Sequence, residues 1–393
     1  MWWISFTGIL VMRIIAFFLE SLDGGGAERA IVALAGEIVG RGYTVDLVVA
    51  RTDSDFRHEI SSGVNVVDLA SQTHLRTLFR LIAYIRRRNP TVMMSSLDVP
   101  NIMLVVAAKI SGYKGRTMIS QRAVVAASQR EWSLSHRWLI MLLQRTLFKR
   151  ADALISNSHA AAKELRALFG VPAERIHVIH NAVNVRRIIR LSDESLSAIW
   201  LSKIQGPLIV SVGSLTTRKD VGTLIRAFAL VKAKRQASLV LVGKVEGENS
   251  VGERDKIEKL ISDLELGANV HLPGFDANPY KWIAAAAVFV SSSTAEGFSN
   301  VIAEALALGR PIVATDCPGD TAELLQHGKW GRLVPVGDPE RMADAILAAL
   351  DDPNPPNGRI RAADFTPSNS TSAYLKALLP NGEQEAVNIG KSL

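Results

Sequence analysis

The stretch VFVSSSTAEGFSNVIAEALALGRPIVATD, Val288–Asp316, is a complete strand–loop–helix–strand unit. VFVSSS opens it as a short apolar strand. The loop TAEGF follows, built from small residues that let a ligand come close to the backbone. Ser299 or Asn300 can cap the next helix, and Gly309 with Pro311 ends it. RPIVATD then returns as a second apolar strand. Strands that are apolar on both faces and joined by a helix belong to a parallel sheet covered on both sides. The unit also holds two carboxylates at different heights, Glu296 in the loop and Glu304 in the second helical turn. Glu296 reads either as a complement to the helix dipole or as an acceptor for ligand hydroxyls. Glu304 reads either as a buried acid paired with an Arg or Lys, or as a second hydroxyl acceptor.

The same alternation runs outward in both directions. RIIAFFLES, TVDLVVA, VNVVDLA, TVMMSS, GRTMISQ, ADALISNS and IHVIHNAV are strand-like runs separated by helical segments. The pattern restarts with PLIVSVGSL, SLVLVG, NVHLPGF, AAVFVSSS, RPIVATD and GRLVPV. In DPERMADAILAALDD, Asp338 caps a helix with Pro339 at its first position. A chain of 393 residues exceeds what one core usually organises, so two domains are expected. The expected division is residues 1–183, a linker over 184–206, a second domain over 207–365, and a closing helix with a polar tail over 366–393. Met12 reads as the native start and residues 1–11 as an extension. The apolar amino terminus is interrupted by Arg13 and is too short and broken for a membrane span or a signal peptide.

Composition narrows the function. The formal charge is +7, which favours anionic partners, but no nucleic-acid-binding motif occurs. The one cysteine, Cys317, excludes a disulfide framework and a Cys-rich zinc site. A reducing, cytoplasmic setting is expected. SHRWLIMLLQRTLFKR, residues 135–150, mixes Trp138, Leu142, Leu143, Leu147 and Phe148 with Arg137, Arg145, Lys149 and Arg150. It reads either as a buried helix with charged ends or as a helix that lies on an anionic bilayer.

Two strand–loop–helix junctions carry further candidates. GGGAERA places Gly24–Gly26 between the first strand and the first helix, either as a tight turn or as a loop that meets an anionic ligand at a helix amino terminus. SVGSLTTRKDVGTLIRAF places Arg218 and Lys219 before a helix of the second half. They are either solvated surface charges or cations for a phosphate group.

Taken in order, VGSLTTRKDVGTLIRAFALV, LVLVG, VHLPGF, SSSTAEGFSNVIAEALALGRPIVATD and GRLVPVGDPERMADAI resemble the donor domain of retaining glycosyltransferases of family four. LDGGGAERAIVALAGEIVGRGYTVDLV and ISNSHAAAKELRALFGVPAERIHVIHNAVN resemble the family's first domain. The resemblance runs from about Met12 to about Leu379. It implies an α/β GT-B fold, two Rossmann-like doubly wound parallel-sheet domains facing a cleft. The first domain would bind the acceptor and the second a nucleotide-diphosphate sugar, UDP- or GDP-linked. Glu296 would lie beside the donor sugar and Glu304 on the ribose hydroxyls. Gly297, Phe298, Ser299 and Asn300 would approach the donor, with Lys219 on its diphosphate. Gly25 and Gly26 would face donor and acceptor, and the final helix near Tyr374 would cross back to the first domain.

Two positions depart from the family pattern. Ser214 follows Gly213 where many members have Arg, so Arg218 is expected to compensate. Arg122 stands in ISQRAV where many members have a histidine, and it is expected in the cleft. Glu296, Lys219, Arg218 and Arg122 form the expected catalytic set. The resemblance further implies transfer of a hexose or N-acetylhexosamine, with retention, to a glycan or lipid-linked acceptor in bacterial envelope polysaccharide synthesis. No cofactor and no metal are expected, since Asp53-Ser54-Asp55 matches the letters of a metal motif but lies in the first half. The setting would be the cytoplasm or the inner face of the cytoplasmic membrane. The rivals are a non-catalytic nucleotide-sugar-binding member of the fold and a nucleotide-sugar epimerase.

Overall fold

The structure, a computed structural model, describes residues 13–22, 26–52, 60–121, 134–245 and 250–380. Two parallel sheets organise them. The first has β1 (Ile14–Leu19), β2 (Thr44–Val49), β3 (Asn65–Asp68), β4 (Val92–Ser96), β5 (Arg116–Gln121), β6 (Ala153–Ser156) and β7 (Ile176–Val178), in the order β3-β2-β1-β4-β5-β6-β7. The second has β8 (Leu208–Val212), β9 (Ser238–Val242), β10 (Val270–Gly274), β11 (Val288–Ser291), β12 (Ile312–Thr315) and β13 (Arg332–Val334), in the order β10-β9-β8-β11-β12-β13. The central strands β1, β4, β8, β9, β11 and β12 are almost wholly buried, as their unbroken apolar runs require.

Each order reverses once, between β1 and β4 in the first sheet and between β8 and β11 in the second. At such a switch point the chain leaves neighbouring strands in opposite directions, and a crevice opens at their carboxyl ends. The loop carrying Gly24–Gly26 follows β1. The Arg218–Lys219 loop follows β8, and the Glu296 loop follows β11. The second sheet thus brings its two candidate loops to the carboxyl ends of β8 and β11 by topology alone.

The closing helix Pro367–Leu378 is capped by Thr366 and starts with Pro at its first position. Tyr374, Leu375 and Leu378 bury themselves with β1 and with the helix Gly26–Gly40 of the first half. Arg41 donates to Ser372 Oγ at 2.9 Å and to the Ser368 carbonyl at 2.7 Å, which fixes the same junction. The stretch 184–206, read from the sequence as linker, contains helices Val185–Ser192 and Ala198–Lys203. Trp200 and Val185 pack against the second core, and Trp200 meets Trp282 edge-on at 5.3 Å.

The helix Leu134–Leu147 resolves its two readings residue by residue. Leu147 and Phe148, counted with the membrane-facing set, are buried against Leu154, Leu165 and Phe169. Trp138 and Leu142 remain exposed, together with Leu139. Arg88, the last of three consecutive arginines at the end of the helix His74–Arg88, is paired with the buried Asp46 at 3.0 Å, which also accepts from Tyr84 and Asn65.

Candidate active site

The loop after β8 begins at Gly213, whose φ of +146° lies outside ordinary L-residue conformations. A Cβ there would come within 3.2 Å of Lys219 Cε, so glycine makes room for the lysine stem to fold back over the strand end. Residues Thr217–Lys219 form one 3-10 turn. Asp220 then caps the helix Val221–Lys234, accepting from Thr223 N at 3.3 Å. The loop after β11 is stitched to this turn. Ser292 Oγ donates to the Lys219 carbonyl at 2.7 Å, and Thr294 N donates to the Arg218 carbonyl at 2.8 Å.

These contacts bring Glu296, Lys219 and Arg218 into one cluster. Lys219 Nζ donates to Glu296 Oε1 at 2.6 Å, and Arg218 Nη1 to Oε2 at 2.9 Å. Ser293 Oγ donates to Oε1 at 2.7 Å. Burial alone would raise the Glu296 pKa, but the two cations and the hydroxyl outweigh it and hold the group below its usual range. Glu296 is therefore an ionised acid spread across both cations. Neither reading from the sequence included this pairing. Gly319, at φ +134°, passes directly under the Glu296 carbonyl: a Cβ there would sit 1.7 Å from that oxygen.

Glu304 lies in the helix Asn300–Ala307, in its second turn as expected. Its neighbour is the Tyr280 hydroxyl, 3.5 Å from Oε1, rather than a cation within bonding distance. Burial pushes its pKa up to about 7, against the opposing pull of Tyr280, Arg187 and Lys219. Burial and the nearby Glu304 likewise push the Tyr280 phenol up to about 12. The two glutamates are thus shifted in opposite directions within one loop–helix unit.

Ser299 occupies the helix N-cap, but its side chain makes no capping bond. Asn300 does not cap either: its Oδ1 accepts from Asn181 Nδ2 at 3.0 Å, linking the helix start to the first half. Ser299 Oγ and Asp320 Oδ2 are buried without a hydrogen-bond partner among the described residues. The Asp320 carboxyl, desolvated and facing Glu296, is held well above the usual carboxylate range. Phe298 is buried against His180 and Phe365, at ring distances of 5.7 and 5.6 Å. It serves as packing that holds the loop, and Gly297 leads into it. Ser214 stands beside Gly213 on the same strand exit.

Gly25 and Arg122 lie outside the described residues, as do Asp53–Asp55; Gly26 is the first residue of the helix Gly26–Gly40. Tyr280, Asp320 and Gly319 were not singled out from the sequence. Only Gly319 carried a local signal, in the CPGD turn after β12.

Comparison with known proteins gives this geometry a family. Residues 24–187 match the family model Glycosyltransferase Family 4, and residues 206–352 match Glycosyl transferases group 1. The N-acetylgalactosamine-N,N'-diacetylbacillosaminyl-diphospho-undecaprenol 4-alpha-N-acetylgalactosaminyltransferase of Campylobacter jejuni is 28% identical over 354 residues, 87% of this chain and 91% of its own. LpsE of Rhizobium meliloti, a lipopolysaccharide core biosynthesis glycosyltransferase, is 27% identical over 84% of this chain and 86% of its own. Among solved structures, HepE of Anabaena in complex with UDP superposes with a TM-score of 0.70 at 20% identity, over 97% of this chain and 100% of that one. With both halves matched in order and two parallel sheets whose strand order each reverses once, the chain belongs to the group 1, family 4 glycosyltransferases and is an enzyme of the GT-B fold.

Proposed function

We propose that this enzyme transfers a sugar, with retention, from a nucleotide-diphosphate donor to a lipid-linked glycan at an anionic membrane surface. The observation that carries the donor half is the Lys219–Glu296–Arg218 cluster at the second switch point, with Lys219 close enough to Glu304 to act on its charge. Lys219 and Arg218 supply positive charge where a diphosphate leaving group would develop negative charge, a stabilisation that a partly dehydrated site strengthens. Glu304, at a pKa of about 7, ionises readily enough to accept from paired ribose hydroxyls. Glu296 and the backbone of Gly297–Ser299 line the approach to the sugar. The two cations can serve in place of a metal ion at the leaving group. HepE, solved with UDP-glucose as well as UDP, supports a uridine donor as the first to test.

The acceptor half rests on a second surface. Helices His74–Arg88, Asp98–Ser111 and Leu134–Leu147 stand side by side on the first half. They expose Leu75, Phe79, Ile110, Trp138, Leu139 and Leu142. Among them runs a basic set that includes Arg76, Arg80, Arg87 and Arg145, all exposed. The three helices contain one acid, Asp98, and it is buried. An apolar face with cations and no exposed carboxylate suits an anionic bilayer. The Campylobacter jejuni relative, named for a diphospho-undecaprenol substrate, supports a polyprenyl-linked acceptor. No helix among the described residues is long and apolar enough to cross a membrane.

The test is transfer from a panel of UDP- and GDP-sugars to polyprenyl-diphosphate-linked saccharides, with the product anomer read by NMR. Transfer with an inverted anomer would overturn the retaining reading. Hydrolysis or epimerisation without transfer to any lipid-linked saccharide would overturn the acceptor.

A further inference from the structure

A second cluster, sharing no residue with the donor loops, lies where the two halves touch. His159 opens the helix His159–Phe169, and His180 follows β7, both in the first half. Glu323 lies in the helix Thr321–Leu324 of the second half. His159 Nδ1 is 2.6 Å from Glu323 Oε1, and His180 Nε2 is 3.2 Å from the same oxygen. One donor atom from each of the three residues falls within 4.8 Å of the others.

The orientation of His180 carries the argument. Its Nδ1 is 2.9 Å from the Asn157 carbonyl. A carbonyl oxygen only accepts, so Nδ1 bears the hydrogen. In a neutral ring, Nε2 then presents a lone pair to the Glu323 carboxylate, and two lone pairs at 3.2 Å repel unless a cation lies between them. A histidine held by a backbone carbonyl at one nitrogen, with the other aimed at a carboxylate, is the arrangement that orients imidazole ligands in metal sites. The spacing agrees: ligand bonds of about 2.0–2.1 Å at tetrahedral angles place neighbouring donor atoms about 3.3 Å apart. His159 is 71% exposed, so its ring can swing outward from its direct hydrogen bond to complete the set and still leave a fourth position open to water.

We infer that His159, His180 and Glu323 form a site for a divalent transition-metal ion, Zn²⁺ or a metal of similar preference, that clasps the two halves of the enzyme. Two neutral imidazoles and one carboxylate are the ligand chemistry that suits zinc. The cluster lies beside the Asn181–Asn300 contact, and His180 packs against Phe298. A bound ion would therefore fix the angle between the halves next to the donor loop. Arg361 donates to the Glu323 carbonyl at 3.2 Å but has its own partner in Asp364 at 2.7 Å. This site is independent of the donor reading.

The test uses the full chain without a histidine tag. Co²⁺ is titrated and its visible absorption followed, then Zn²⁺ is added as competitor, with stoichiometry measured by calorimetry. One ion per chain is expected, displaced by Zn²⁺, with affinity at least tenfold weaker in His159→Ala and in Glu323→Gln. Zn²⁺ should also raise the melting temperature of the parent chain and not of the variants. His159→Ala alters an exposed side chain, so it tests the site even if Glu323→Gln weakens the fold. Absence of saturable Co²⁺ binding, or equal affinity in parent and both variants, would overturn the site and leave a proton as the cation between His180 and Glu323.

Discussion

Lys219→Met should destabilise the enzyme, and adding Glu296→Gln should restore most of the loss. Lys219 is 16% exposed and Glu296 8%, so the pair is largely removed from water. Deleting one partner of a buried ion pair costs about 3–5 kcal/mol, because the remaining charge is stranded. Here Glu296 keeps Arg218 at 2.9 Å and Ser293 at 2.7 Å. Arg218 is 44% exposed and screened by solvent, so it compensates only in part. The expected cost is about 2 kcal/mol, or a fall of about 4–8 °C in melting temperature for a domain of this size. In the double variant no carboxylate is stranded, and the net cost should drop below about 1 kcal/mol. The coupling energy is then about 1–2 kcal/mol, within the range measured for contacting residues. Thermal denaturation of the four proteins supplies the cycle, and sugar transfer is measured on the same samples. All three variants should transfer poorly while their stabilities diverge. Additive effects, or a Lys219→Met protein that melts like the parent, would refute the stranded-charge reasoning.

Glu304 predicts a pH dependence. Its folded pKa of about 7 lies above the ordinary 4.5, so ionisation costs stability. The protein loses this contribution as pH climbs from about 4.5 to 7, and Glu304→Gln should flatten that part of the stability profile. Donor KM should fall as pH rises through about 7, since only the carboxylate accepts two hydroxyl hydrogens, and the same variant should erase the dependence. Gly319→Ala should cost several kcal/mol, because its Cβ would meet the Glu296 carbonyl at 1.7 Å. Gly337→Ala, at φ +73° with nothing within 4 Å, should cost only the left-handed strain of about 1–2 kcal/mol; equal losses in denaturation would show that contact is not the cause. Trp138→Ala with Arg145→Glu should reduce sedimentation with anionic vesicles at least several-fold and leave transfer to a water-soluble acceptor unchanged. Undiminished sedimentation would place the membrane contact elsewhere.

The sheets were legible because central parallel strands must be apolar on both faces. VFVSSS, SLVLVG and RIIAFFLES could hardly be anything else, and their alternation with helices fixed two doubly wound halves. The register of Glu304 was legible too, since Gly309 and Pro311 mark the helix end. What the sequence could not show depends on side chains distant along the chain. Lys219 and Glu296 are 77 positions apart, and their pairing follows from β8 and β11 lying side by side. Asn300 has the chemistry of a cap, yet Asn181 in the other half takes its side-chain oxygen. Leu147 and Leu142 are the same residue type, and only the position of the helix on the sheet separates buried from exposed. The helices at 185–192 and 198–203 escaped notice because each is short and buries little: Ile188 is the one fully buried residue among them.

The ion pairing of Glu296 changes what the donor loops must do. A diphosphate that approaches Lys219 and Arg218 meets cations already shared with a carboxylate, so the site carries its own counter-charge. At an effective dielectric of about 20, a unit charge about 6 Å away contributes close to 3 kcal/mol of repulsion toward each phosphate charge. Releasing Lys219 from its anchor costs at most about 2 kcal/mol of side-chain entropy when the phosphate orders it again. The charge effect is larger. Glu296→Gln should therefore bind the nucleoside diphosphate product several-fold more tightly while transferring sugar more slowly. In this view Glu296 keeps product affinity low enough for release and holds the two cations at the switch point between turnovers. Calorimetry with UDP and GDP, set beside single-turnover transfer, separates the possibilities. If Glu296→Gln weakens diphosphate binding, the carboxylate preorganises the cations more than it opposes the phosphate, and the release argument fails.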